Sequence, residues 1–272
     1  MIPVVFIHMG NPSYLNFAIK QALKRNEVCL ISDIKPDITS SRFQWVDIKD
    51  CMSDRYKLFQ QAYVHMSTNP YDFELFCFLR WFVVHEYMKN TKNDVVFYTD
   101  SDVFLYVDVN DEFPKYAQYD LTLLHRCAPV SSFVTNKGIV NFTNFLLTTY
   151  QNQQSYNFEK IASHFVVRQK HNLSGGVCDM TLFEHFHYSS DVGGGPGKVG
   201  EMMSILNDST YDHNINAEDQ YFNFNRIKQI EFVDGIPYVY SNKLNKPIKF
   251  NSIHFNSGAK SMMQEYYAKS AT

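Results

Sequence analysis

The chain has no Cys-x-x-Cys pair. Its five cysteines stand apart at positions 29, 51, 77, 127 and 178. An odd, scattered set speaks against a zinc ribbon or a disulfide framework and for reduced, structural thiols in a cytoplasmic setting. Positive charge is not in excess: 25 Lys and Arg stand against 28 Asp and Glu, a net charge of −3. A nucleic-acid partner is therefore not expected. Long apolar runs are missing too, since the longest, from Phe73 to Tyr87, is broken by Glu74, Arg80, His85 and Glu86. No transmembrane segment is expected from it. The run at Ile2 to His8 lacks a preceding basic region, so no signal peptide is expected. Charged residues are few (19%) beside 45% hydrophobic ones, which excludes disorder for most of the chain.

What is present suits one large α/β domain over residues 1–272. Val4-Val5-Phe6-Ile7 reads as a buried parallel strand. Gly10 to Ser13 punctuate it, with Ser13 as N-cap of a helix carrying Tyr14, Phe17, Ala18, Ala22 and Leu23 at helical spacing. Val28 to Ser32 is a second strand, closed by Asp33. Such a strand–helix–strand unit binds ligands at the carboxyl ends of its strands. Further helices are expected at Arg55–Met66, Asp72–Lys89 and Gly138–Tyr150, and strands at 94–99, 121–124 and 132–135. Beyond Asn152 the pattern loosens. A helix is expected from Glu218 to Arg226, capped by Asn216, and a last one from Ser261 to Lys269. Gly193 to Gly197 reads as a flexible loop.

The most informative stretch is Phe97-Tyr98-Thr99-Asp100-Ser101-Asp102. Two carboxylates one residue apart at a strand end converge only where the chain turns, and there they can hold a hard divalent cation through oxygen. Unrelieved, their repulsion at 4 Å and an effective dielectric of 20 is roughly 4 kcal/mol. Two strand-end aspartates can also simply cap loop amides. The aspartyl-phosphate phosphatases use a related Asp-x-Asp, but on the first strand. Here the pair follows a complete strand–helix–strand unit.

With Asp100-Ser101-Asp102 and the motifs that follow it in order, most of the sequence resembles the GT-A glycosyltransferase superfamily, enzymes that use nucleotide sugars and an Asp-x-Asp metal motif. Ser174-Gly175-Gly176 resembles the family's glycine loop, Ala217-Glu218-Asp219 its x-Glu-Asp motif, and His254 with Gly258 and Lys260 its C-terminal histidine segment. The last departs from the usual His-x-x-Gly-x-x-Lys of retaining members.

The resemblance implies a Rossmann-related mixed sheet flanked by helices, with residues 1–125 as the nucleotide-sugar half and 126–272 as the acceptor-binding and metal-completing half. It implies transfer of a sugar from a nucleotide-diphosphate donor to a hydroxyl of a glycan, glycolipid or protein. His254 would join Asp100 and Asp102 on the metal, Mn2+ or Mg2+. Asp219, with Glu218, would be the catalytic carboxylate if the reaction inverts. His8, Asn11, Tyr14, Asp33, Arg80, Ser101, Gly258 and Lys260 would bind the donor, and Gly175, Gly176 and Asp179 the acceptor. Each has an ordinary alternative. Arg80 inside an apolar helix needs an aspartate partner, Asp179 and Asp219 suit helix starts, and Lys260 suits solvent. A non-catalytic sugar-nucleotide or glycan-binding module and a metal-dependent phosphohydrolase are the rival readings.

Overall fold

The computed structural model describes residues 1–191 and 197–270. The loop expected at Gly193 to Gly197 therefore lies outside the described residues, save Gly197.

The opening unit forms as its apolar pattern dictates. β1 (Val4–His8) is buried up to its last residue, α1 (Ser13–Leu23) crosses over, and β2 (Val28–Ser32) returns parallel to β1. The N-cap of α1 is Pro12 rather than Ser13, and no side chain caps the helix. The Pro12 ring sets φ at −70° for the entry, which moves Ser13 into the first turn. β3 (Phe43–Asp47) adds an edge strand parallel to β2 that the apolar pattern did not announce. Its residues are half-buried or exposed, and its sequence alternates without a continuous apolar run.

α2 (Asp54–Ala62), capped by the Ser53 side chain on the Tyr56 amide, is shorter than expected because Tyr63 is already extended. The 21-residue α3 (Tyr71–Thr91) ends where Lys92 turns left-handed at φ 57°. β4 (Val95–Thr99) follows, parallel to β1. The chain then turns through Asp100 and Ser101 and leaves the sheet as β5 (Val103–Leu105).

After the short α4 (Val109–Glu112) come β6 (Leu121–Leu123) and β7 (Ser131–Thr135), the latter antiparallel to β4. α5 (Asn136–Gln151) is capped by Thr135, and α6 (Tyr156–Lys170) by Ser155. α6 was not expected, since Phe158 and Ile161 are its only buried apolar positions and Val166 and Val167 are exposed. α7 (Asp179–Asp191) precedes β8 (Val199–Glu201). The main sheet runs β3-β2-β1-β4-β7-β6-β8.

The remaining strands are β9 (Ser209–Tyr211), β10 (Phe224–Asn225), β11 (Ile227–Lys228), β12 (Ile230–Val233), β13 (Ile236–Ser241) and β14 (Lys246–His254), before α8 (Met263–Lys269). The helix expected from Glu218 is absent: residues 215–221 form turns, and Phe222 bridges to Ser241. Tertiary pairing there overrides the acidic start signal. The final helix starts two residues later than expected, after a 3-10 turn at Ser257–Met262.

The main sheet separates two cores. Val5, Ile7, Val96 and Tyr98 face α2, α3, α5 and α7, whereas Val4, Phe6 and Phe97 face α1 and the second sheet, β12-β13-β14-β5. That alternation is the period-two geometry of a strand buried on both faces. The result is the mixed sheet flanked by helices that the resemblance implies. Among the described residues no helix is long and apolar enough to cross a membrane.

Candidate functional site

Asp100 and Asp102 sit where the chain changes sheets. β4 belongs to the main sheet, while β5 pairs antiparallel with β14, with Val103 opposite His254. The register that ends β14 at His254 therefore sets its imidazole beside Asp102. The Phe255 amide donates to the Asp102 carbonyl at 2.9 Å, and the Val103 amide to the Asp100 carbonyl at 3.2 Å, which fixes the turn. Potential ligand atoms of Asp100, Asp102 and His254 all lie within 4.8 Å of one another.

Each of the three is held from behind. His254 Nε2 lies 3.4 Å from Asp102 Oδ1. Its Nδ1 bonds to the His213 carbonyl, and because a carbonyl only accepts, Nδ1 carries the hydrogen and Nε2 faces the carboxylate. The His254 amide donates to Asp212 Oδ2 at 3.1 Å, and Asp212 is itself buried against Lys228, 2.9 Å away. Asp100 Oδ1 accepts from Arg80 Nη1 at 2.8 Å and from the Tyr98 hydroxyl at 2.7 Å. Lys260 Nζ is 3.1 Å from Asp102 Oδ2 and 5.1 Å from the centre of the Tyr14 ring.

The charges follow this geometry. Burial works against the His254 imidazolium, but the hydrogen bond and charge of Asp102 outweigh it and raise its pKa to about 9. Burial likewise opposes ionisation of Asp102, and His254 and Lys260 overcome it, so its carboxyl titrates below the usual aspartate range. Lys260 is raised by Asp102 in spite of partial burial. His213 is pushed down to about 4 by burial and by its neighbours His125 and His254.

The other expected residues divide into two groups. His8 ends β1 with its ring 6.0 Å from that of Tyr14, and its pKa is lowered by burial while Asp102, Lys260 and Asp33 also act on it. Asp33 Oδ1 accepts the Gly10 amide at 2.7 Å and so holds the first loop, on which Asn11 is exposed. Ser101 is half-buried in the carboxylate turn, and a Cβ built on Gly258 would meet nothing within 4 Å. Arg80 spans Asp100 and Asp179, the latter 2.6 Å from Nη2.

Gly175, Gly176, Glu218 and Asp219 have no bond to this cluster. Gly175 exchanges hydrogen bonds with Thr68, and a Cβ at Gly176 would come within 2.2 Å of the Met66 carbonyl, so the glycine there serves close backbone packing. Glu218 is exposed, and Asp219 accepts the Tyr221 amide at 2.8 Å, capping a turn. That loop approaches the cluster through Asn216, whose Nδ2 donates to the Asn256 carbonyl at 3.1 Å. Asp212, His213 and Lys228 escaped the sequence reading, which had no signal for a pairing completed through β9 and β14.

No family model and no curated protein matches the sequence. Three solved structures of similar shape are described as glycosyltransferases. Mouse xyloside xylosyltransferase 1 is 8% identical over 76% of this chain and 87% of its own, with a TM-score of 0.46. The galactosyltransferase LgtC, with donor and acceptor sugar analogues, is 11% identical over 100% of this chain and 97% of its own (TM-score 0.44). GlyE of Streptococcus pneumoniae is 15% identical over 76% of this chain and 45% of its own (TM-score 0.40). Likeness of this degree leaves the chemistry to the site's own residues.

Proposed function

We propose that the protein is a metal-dependent glycosyltransferase that moves a sugar from a nucleotide-diphosphate donor to a hydroxyl acceptor. The observation that carries this reading is the convergence of Asp100, Asp102 and His254 at the strand-end turn. Two carboxylate oxygens and an imidazole nitrogen whose far side is hydrogen-bonded to a carbonyl form a donor set suited to Mn2+ or Mg2+. Bound there, the cation would supply charge stabilisation to the diphosphate as the anomeric bond breaks.

The chain's own residues do the rest. Asp100, Asp102 and Asp179 balance Arg80, Lys260 and the His254 imidazolium, three charges of each sign. Exchange of the imidazole proton for a divalent ion leaves one net positive charge, which suits an anionic diphosphate. Lys260, only partly buried, can reach from Asp102 to a phosphate oxygen. His8, Tyr14 and the loop held by Asp33 lie beside Lys260 and would take the nucleoside, Tyr14 by stacking. Asp219 is assigned the acceptor-side carboxylate because its loop is tied to Asn256, within the segment that carries Lys260.

The test is a calorimetric screen of UDP-, GDP- and TDP-sugars with Mn2+, repeated in EDTA. Binding of one donor that disappears in EDTA supports the reading and names the base. Release of phosphate from simple esters with no donor binding would favour the phosphohydrolase instead.

A further inference from the structure

We propose that Asp179 is a positioning residue: by engaging one arm of Arg80, it limits that arginine to a single oxygen of Asp100 and leaves the other oxygen for the cation. The inference rests on the metal role assigned to Asp100 above. It also gives Asp179 a task other than acceptor contact, for which its carboxylate is poorly placed at 2% exposure.

Asp179 opens α7, 79 residues beyond Asp100, and both of its carboxylate oxygens accept hydrogen bonds. Oδ2 accepts from Arg80 Nη2 at 2.6 Å and from Trp81 Nε1 at 2.9 Å, and Oδ1 accepts the Met180 amide at 2.9 Å. Arg80 is equally occupied. Nε donates to the Cys77 carbonyl at 3.2 Å, Nη1 to the Tyr98 hydroxyl and Asp100 Oδ1 at 2.8 Å each, and Nη2 to Asp179. Four of its five N–H groups are thus spent on the protein itself. The guanidinium carbon also lies 5.4 Å from the Trp81 ring centre and 5.5 Å from that of Tyr98.

An arginine free to choose would grip a carboxylate with both arms, since the fork matches two oxygens. Here the second arm is committed to Asp179, so the grip on Asp100 is one-sided. Removing the Asp179 charge while keeping its shape leaves a neutral amide oxygen, a weaker acceptor that loosens the hold on Nη2. Arg80 can then turn onto both oxygens of Asp100 and compete directly with a cation.

The experiment uses the full chain and its Asp179→Asn variant, with Mn2+ as probe. Free Mn2+ is followed by electron paramagnetic resonance, and the Asp100 carboxyl 13C resonance is followed in the metal-free protein. The expected result is a loss of Mn2+ affinity of ~10-fold or more, the size typical of a lost outer-shell partner, with a shifted Asp100 resonance and a folded circular-dichroism spectrum. Asp179→Glu, which keeps the charge, should recover part of the affinity. A folded Asp179→Asn with wild-type Mn2+ affinity and an unmoved Asp100 resonance would overturn the proposal. Should that variant not fold, Trp81→Phe removes one donor to Asp179 and keeps both charges. A smaller shift of the same resonance supports the proposal, and no shift overturns it. Failure of the wild type to bind Mn2+ would count against the metal site itself, and the 13C comparison would then decide the role of Asp179 alone.

Discussion

Asp102 and His254 face each other at 3.4 Å because Val103 and His254 are register partners across β5 and β14. A carboxylate from the end of the main sheet thereby meets an imidazole from the second sheet. Substituting Asp102 by Asn keeps the shape and removes the charge that His254 and Lys260 share. Binding of Mn2+ should weaken by more than about 100-fold, beyond the loss of an outer-shell partner, and donor turnover should vanish. Calorimetry and a progress curve check this.

The Asp102–His254 pair also sets a pH dependence. The folded pKa of His254, about 9, lies above its ordinary 6.5. Its contribution to stability is therefore fully present below pH 6.5 and is lost as pH rises through 9. Asp102 has the opposite sign: its lowered pKa gives stability above its ordinary value of 3.8 that is lost as pH falls through the folded value. Metal-free wild type should lose roughly 3 kcal/mol relative to His254→Gln between pH 6.5 and 9.5. Urea denaturation of both proteins across that range measures the difference.

The same imidazolium must give up its Nε2 proton to become a ligand. At pH 7.5, Mn2+ binding should release about one proton per ion, as expected for a protonated ligand below its pKa. Calorimetric enthalpies in buffers of different ionisation heat report that number. Release of none would contradict a protonated His254 that joins the ion.

Asp212 and Lys228 form a buried pair, with side chains 1% and 5% exposed, that supports the His254 backbone. Asp212→Ala leaves Lys228 charged and unpaired and should destabilise by about 3–5 kcal/mol. The double change Asp212→Leu with Lys228→Met should recover much of that loss in thermal denaturation. Neither outcome requires a metal.

Two glycines separate packing from ligand contact. Gly176→Ala should lower Tm, because its Cβ would fall 2.2 Å from the Met66 carbonyl. Gly258→Ala meets nothing within 4 Å and should leave Tm unchanged. If the diphosphate passes Gly258, that same variant should weaken donor binding several-fold.

Legibility in the sequence followed the range of the cause. The β1–α1–β2 opening was readable because Val4–Ile7 and Val28–Ser32 are continuous apolar runs that need no partner to be recognised. The half-buried β3 and the sparsely apolar α6 carry little such signal. Asp100 and Asp102 announced themselves by spacing, and His254 by the family resemblance. The Asp179 partner of Arg80 lies 99 residues away, and Asp212 and His213, with Lys228 behind Asp212, reach His254 only once the second sheet forms. Local pattern holds no record of such pairings. The acidic Glu218-Asp219 pair suggested a helix start, but bridge formation at Phe222 imposed a turn instead.

The most direct test of the account is an anomalous-scattering map from crystals soaked in Mn2+ together with UDP, GDP or TDP. The account predicts one strong peak bonded to Asp100, Asp102 and His254 and in contact with both phosphates of one nucleotide, with Lys260 withdrawn from Asp102 towards the diphosphate. A nucleotide bound with Mn2+ elsewhere, or with Lys260 still on Asp102 and no ion between the carboxylates, would contradict it.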